Sequence, residues 1–200
     1  VALVFSIGSY LADWCASGKK DNKFSVDSIS GYYKMLWEEN IAVDILHEEF
    51  AKELSRYKVI LLPSPYAISP ALARELKEFV RGGGLLISDP YFGAFDETHK
   101  LSYRIPGFGF DEVFGCLADD LGMCEKLSLF DENENRFVIE GNLHKELYRN
   151  IRGNVLYRYE NGAPCVIANE YGKGRAVISG VNLGLAYSSR SLIADDILSE

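Results

Sequence analysis

An α/β domain is the fold class that this sequence predicts, with a doubly wound, mostly parallel sheet, flanking helices and a β-rich C-terminal part. Three observations carry that prediction. Short unbroken apolar runs recur at Ala2-Leu3-Val4-Phe5, Val59 to Leu62 and Leu85-Leu86-Ile87, and such runs suit strands buried on both faces; Val43 to Leu46, interrupted by Asp44, reads as a further short strand. Helical patterns separate them, so the order reads β-α-β-α-β-α-β. The stretch from Tyr57 to Pro90 is a strand-helix-strand unit, and two strands joined by one helix are nearly always parallel with a right-handed crossover.

The first strand ends at Gly8, and Ser9, Tyr10, Asp13 and Trp14 lie at its carboxyl end. Lys19 to Lys23 is polar and reads as a surface loop. From Ser28 the pattern is helical, with Ile29, Tyr33, Leu36 and Trp37 on the inward face and Lys34, Glu38 and Glu39 opposite; Asn40 stops the helix. A helical turn at Phe50 to Leu54 follows the second strand. Ser69-Pro70 begins the next helix, because serine caps well and proline fits the first turn. Leu72, Leu76, Phe79 and Val80 share one face of it, and Gly82-Gly83-Gly84 ends it.

Beyond Pro90 the rhythm changes. Tyr91 to Gly109 is rich in glycine and aromatic residues without a period, which predicts a long ordered excursion over the carboxyl edge of the sheet. Asp111 to Phe114 suits one helical turn. Lys126 to Phe130 and Arg136 to Ile139 read as strands around Asp131 to Asn135, and Val155 to Tyr159 with Cys165 to Asn169 as a hairpin around Asn161-Gly162. Gly172-Lys173-Gly174 turns the chain into Arg175 to Ser179, and a last helix spans about Ser189 to Leu198 with Leu192, Ile193 and Ile197 inward.

The 200 residues, 48% of them hydrophobic, suffice for one domain with a real core. With 29 acidic against 21 basic residues the net charge is −8, and scattered Lys and Arg argue against nucleic acid or an anionic membrane as partner. Cys15, Cys116, Cys124 and Cys165 form no CxxC pair and lack a histidine at metal spacing, so they read as buried free thiols in a reducing, cytoplasmic compartment. No apolar stretch is long enough to span a bilayer and no signal peptide stands at the start. The chain begins at Val1 inside an expected strand, as an excised piece of a longer protein would.

A nucleophile on such a sheet sits in a strand-to-helix elbow between small residues, and neither G-x-C-x-G nor G-x-S-x-G occurs. His47, His99 and His144 fall in different elements and read as surface or loop residues. The carboxylate pairs Glu38-Glu39, Glu48-Glu49, Asp119-Asp120 and Asp195-Asp196 point in different directions on a helix and read as solvated faces. Gly82-Gly83-Gly84 follows a helix instead of opening one, and Gly172-Lys173-Gly174 is followed by Arg175 where a phosphate loop needs Ser or Thr, so both read as turns, and no cofactor is indicated. The remaining candidate is the crevice beyond the strand ends, where open α/β sheets hold ligands. It offers Ser9, Tyr10, Tyr66, Asp89 and Tyr91, to which Phe108 of the excursion is added, as an interface or ligand crevice; aromatic enrichment favours an interface.

GYYKMLWEENIAVDIL, YKVILLPSPYAISPALARELKEFVRGGGLLISDPYFGAFDE, IPGFGFDEVFG and YGKGRAVISG, in this order, resemble the trimerisation domain of glycoside hydrolase family 42 β-galactosidases over about Val1 to Gly180. The resemblance departs at Asp89 to Gly93, where a basic residue is expected before the glycine and Pro90-Tyr91-Phe92 stands instead. It implies a class I glutamine amidotransferase-like, flavodoxin-like fold without amidotransferase catalytic residues. It also implies a catalytic (β/α)8 barrel N-terminal to Val1, a homotrimer, and a carbohydrate substrate bound by the barrel. A free-standing amidotransferase-like enzyme or small-ligand binder using the strand-end crevice is the competing expectation.

Overall fold

The computed structural model describes residues 1–16 and 24–188. Among these residues nine strands form one sheet in the order β2-β1-β3-β4-β9-β8-β7-β5-β6. β1 (Ala2–Phe5), β2 (Asp44–His47), β3 (Val59–Leu62), β4 (Leu85–Ser88) and β9 (Gly174–Ser179) pair in parallel. β8 (Pro164–Tyr171), β7 (Asn154–Tyr159), β5 (Leu117–Phe130) and β6 (Arg136–Arg149) continue the sheet antiparallel. The sheet is thus mixed rather than mostly parallel. Tight turns at Asn161-Gly162 and Gly172-Lys173 join β7, β8 and β9, and a tight turn can return a strand only beside its neighbour in the opposite sense.

Helix α3 (Pro70–Arg81) forms as its sequence demands. Ser69 Oγ accepts the Leu72 N–H at 3.1 Å, Pro70 occupies the first turn, and Leu72, Leu76, Phe79 and Val80 are buried. The two glycine runs are turns that touch. Lys173 N donates to Arg81 O and Arg175 N to Gly84 O, at 3.0 and 3.1 Å. A Cβ on Gly174 would lie 2.2 Å from Val80 O and 2.4 Å from Gly84 O, so only glycine permits this approach.

Two helices depart from the sequence reading. Residues taken for a strand end form helix α1 (Ile7–Ala16), and helix α2 (Phe24–Glu38) begins ahead of Ser28. The inward face of α2 is Ser25, Ser28, Gly31, Tyr32 and Leu36, whereas Tyr33 and Trp37 are exposed. Helix α2 ends as expected: Asn40 adopts φ 57° and Ile41 N reaches back to Leu36 O at 2.8 Å. Strands β5 and β6 run 14 residues each, far beyond the segments their apolar residues suggest, because their outer halves carry polar residues and Gly122. The loop at Lys19 to Lys23 and the expected last helix from Ser189 lie outside the described residues.

The main core joins α3 and the sheet to the excursion. Phe92, Phe110 and Phe114 of helix α4 (Asp111–Phe114) and its approach are fully buried, with Phe92 and Phe110 ring centroids 4.3 Å apart. The excursion from Tyr91 to Gly109 therefore holds its shape without helix or strand, as expected. Phe110→Ala is expected to cost about 3–5 kcal/mol in equilibrium denaturation, through lost burial and the cavity left among three rings.

Candidate functional site

Around Asp89 the crevice beyond β3 and β4 is filled by the protein itself, whereas beyond β1 and β2 a cavity of about 530 Å³ stays open beside Ser6, Gly8, Glu48, Ser69 and His99. Directly after β4, the carboxylate of Asp89 turns inward and is wholly buried. Four donors converge on it: Ser28 O–H at 2.6 Å and Ser64 N–H at 3.1 Å on Oδ2, Tyr32 O–H at 2.8 Å and Leu183 N–H at 3.1 Å on Oδ1. Burial outweighs these donors and pushes the carboxyl up to about 6. Asp89 thereby ties α2, the loop after β3 and the chain at Leu183 to the end of β4.

A second polar chain lies alongside. Asn182 Nδ2 donates to Ser64 Oγ and Tyr66 Oη, both at 3.2 Å, and Asn182 Oδ1 accepts the His144 N–H at 3.2 Å. Tyr66 Oη lies 3.1 Å from His144 Nδ1, and the His144 ring stacks on Phe24 with centroids 5.1 Å apart. Burial lowers the His144 pKa and outweighs the hydrogen bond with Asn182, which raises it. The expectation of a surface histidine fails here because β6 extends past residue 144 and places it against α2. His99 is exposed, and His47 accepts the Glu49 N–H at the start of the 3-10 segment Glu48–Arg56.

Of the six candidate residues, Ser9, Tyr66 and Asp89 are buried and bonded within the domain. Ser9 Oγ donates to Ala67 O and accepts from Ala67 N, both at 3.0 Å, which fixes α1 to the loop after β3. Tyr91 and Phe108 are half-buried, each with left-handed backbone, at φ 65° and 55°. Phe108 packs on the main core while its carbonyl accepts from Lys77 Nζ. Tyr91 N donates to Oε2 of the buried Glu146 at 3.1 Å, a partner that no sequence pattern marks. Tyr10 is exposed.

Tyr10 belongs to a surface that the sequence reading missed. Ile7, Tyr10, Leu11 and Trp14 fall at helical spacing on α1, and each is 41–47% exposed. The inward face of the same helix carries Ser9 and Asp13, the latter accepting from Ser25 N and Ser25 Oγ. The helix is amphipathic in reverse. His99 Nε2 lies 3.0 Å from Gly8 O, which brings the excursion against the start of α1, and exposed Leu101 and fully exposed Tyr103 extend the surface.

Two of the four thiols are shut away from solvent. Cys116 and Cys165 are buried, which raises both pKa values, that of Cys165 to about 12. Cys124 is half-buried, and Cys15 is exposed on α1, against the expectation that all four are buried. Among the described residues no three His, Cys, Asp or Glu side chains are placed to hold a metal ion, and no helix is long and apolar enough to cross a membrane.

Known proteins share this fold. The family described as the beta-galactosidase trimerisation domain matches residues 1–195. Beta-galactosidase Pbg of Clostridium perfringens is 27% identical over 194 residues, which cover 88% of this chain and 27% of that protein. A catalytic mutant of Gan42B, a GH42 beta-galactosidase from G. stearothermophilus, superposes with TM-score 0.81 at 22% identity, covering 99% of this chain and 30% of that one. The exo-beta-1,4-mannosidase Op5Man5 from an Opitutaceae bacterium superposes with TM-score 0.66 at 12% identity, over 94% of this chain and 32% of its own. The chain spans between a quarter and a third of the length of these relatives. By the match that covers nearly all of its length, the chain belongs to the beta-galactosidase trimerisation domain family.

Proposed function

We propose that this chain is the non-catalytic, oligomerising domain of a longer, cytoplasmic, β-galactosidase-like glycoside hydrolase. Its catalytic barrel lies N-terminal to Val1, binds the carbohydrate, and is gathered with its copies into a homotrimer through this domain. The observation that carries the reading is the apolar stripe Ile7, Tyr10, Leu11 and Trp14, turned outward by a helix whose polar residues face the core. Exposed apolar stripes of this kind mark association surfaces. Family membership supports the reading, as does the small part of its relatives' length that the chain spans. The parallel half of the sheet, crossed by α3, supports a doubly wound, class I glutamine amidotransferase-like ancestry, and four unpaired cysteines support a reducing compartment. The competing small-ligand crevice has less support, since Ser9, Tyr66 and Asp89 already spend their polar atoms on protein partners.

Tyr10→Asp combined with Leu11→Asp in the full-length protein tests this. Both side chains are exposed, so the circular dichroism spectrum should stay unchanged while light scattering shows trimers giving way to monomers. A trimer that survives the double substitution counts against α1 as the contact surface.

A further inference from the structure

Glu146 lies on β6 with nothing of it exposed, and only half of its carboxylate is satisfied. Oε2 accepts the Tyr91 N–H at 3.1 Å, whereas Oε1 has no hydrogen-bond partner. The Tyr148 hydroxyl lies close enough to draw the Glu146 pKa down, but it donates to Ser179 O at 2.9 Å and leaves Oε1 without a partner, and Tyr159 donates to the main-chain oxygens of Glu146 and Gly180 at 2.9 and 3.1 Å. A buried carboxylate oxygen without a donor is costly enough to require an explanation. Tyr91 itself holds a left-handed backbone, which is strained for a tyrosine.

Glu146 also lines a groove of about 680 Å³ between Leu101 to Ile105 of the excursion and the base of the β5–β6 hairpin. The other charges there are engaged. Arg149 pairs with Asp119 at 3.2 Å, Arg104 turns to Asp111 at 3.9 Å, and Asp120 Oδ1 accepts the Leu121 N–H. The unsatisfied group in the groove is the carboxylate at its floor, and exposed Leu101 and Tyr103 stand at its mouth.

We propose that this groove receives a cationic side chain, a lysine or arginine, from a neighbouring subunit, whose charged head completes the hydrogen bonding of Glu146. The proposal rests on the oligomerisation reading. The groove continues the α1 surface, because the excursion that forms one wall is held against α1 through His99 and Gly8. Only a donor satisfies Oε1, and a charged donor gains most in a site shut off from water. Tyr91 and Tyr103 offer aromatic faces to a cation, and Leu101, Ile105 and Leu117 suit its methylene stem. Since Oε1 is closed to solvent, docking requires a local shift of the groove lining, which includes Tyr91.

Docking then carries a proton signature. Burial pushes Glu146 up to about 7. The titratable groups that face it, Tyr91, Cys116, Tyr148 and Tyr159, all have raised pKa values and stay neutral below pH 8. A cation seated on Oε1 draws the carboxyl back down, so docking releases a proton and assembly tightens as pH rises.

Sedimentation equilibrium of the full-length protein at pH 6 and pH 8 is the test, on wild type, Glu146→Gln and Tyr103→Ala. Glutamine keeps an acceptor for Tyr91 N but no charge, and Tyr103 is too exposed for its loss to disturb folding. The wild-type trimer should dissociate at least tenfold less readily at pH 8 than at pH 6. Glu146→Gln should weaken assembly at pH 8 at least tenfold and flatten the pH dependence, and Tyr103→Ala should weaken it several-fold. A trimer indifferent to both substitutions, or a wild-type trimer whose affinity does not change with pH, overturns the cation proposal alone; the second outcome decides even if Glu146→Gln fails to fold. A wild-type monomer at both pH values overturns the oligomerisation reading and this proposal with it.

Discussion

Asp89→Ala is expected to destabilise the domain by about 3–5 kcal/mol, because it strands four buried donors at once. Two are backbone amides, Ser64 N–H and Leu183 N–H, which cannot turn away to another acceptor. The loss would reach α2, the β3 loop and the segment after Asn182 together, so denaturant unfolding should stay cooperative with a lowered midpoint. A midpoint unchanged within error would mean that water replaces the carboxylate. The pH dependence adds a second check. The folded carboxyl titrates at about 6, above its ordinary 3.8, so folding favours the protonated form. Its stabilising contribution is complete below 3.8 and is lost as pH rises through 6. Between pH 5 and pH 7 the wild type should therefore lose about 1 kcal/mol relative to Asp89→Asn, at roughly 1.4 kcal/mol per pKa unit.

Gly31→Ala should be nearly as damaging for a different reason. Helix α2 crosses helical residues 183–188 so closely that a Cβ on Gly31 would sit 1.8 Å from Gly184 O, and one on Gly184 would sit 2.1 Å from Ser28 O. The obstacle is backbone, so one helix must lift away from the other. That lifting would also pull Leu183 N–H off Asp89, and the two effects together should cost roughly 3 kcal/mol in equilibrium denaturation. Alanine otherwise favours an α-helix over glycine by about 1 kcal/mol. A neutral or stabilised variant would thus contradict the crossing outright.

The sequence was readable where the chemistry is local, and these two sites lie where it is not. The α3 unit was legible to the residue, since Ser69, Pro70, Leu72 and the triple glycine each act through local chemistry that tertiary contacts reinforce. The β7–β8 hairpin was legible for the same reason, with Gly162 at φ 80° in its turn. Helices α1 and α2 were not. Their inward residues Ser9, Asp13, Ser25, Ser28 and Gly31 look like a solvated face, and their outward Tyr10, Leu11, Trp14, Tyr33 and Trp37 look like a core. Hydrophobic periodicity assumes that the apolar side turns inward, and here a polar network and a close helix crossing occupy that side. The spacing of Ile7, Tyr10, Leu11 and Trp14 still contained the helix. Strands β5 and β6 were half legible, because their outer halves carry few residues of high strand propensity and depend on pairing with each other. Asp89 stood out in the sequence as a strand-end acid. Its four partners, and the half-satisfied Glu146, come from segments far apart in the chain and had no local signal.

The most direct measurement is the mass of the full-length protein by sedimentation equilibrium over a hundredfold range of concentration. One dominant species of three times the chain mass is expected at the upper end, dissociating on dilution. A protein that stays at the mass of a single chain across the whole range contradicts it.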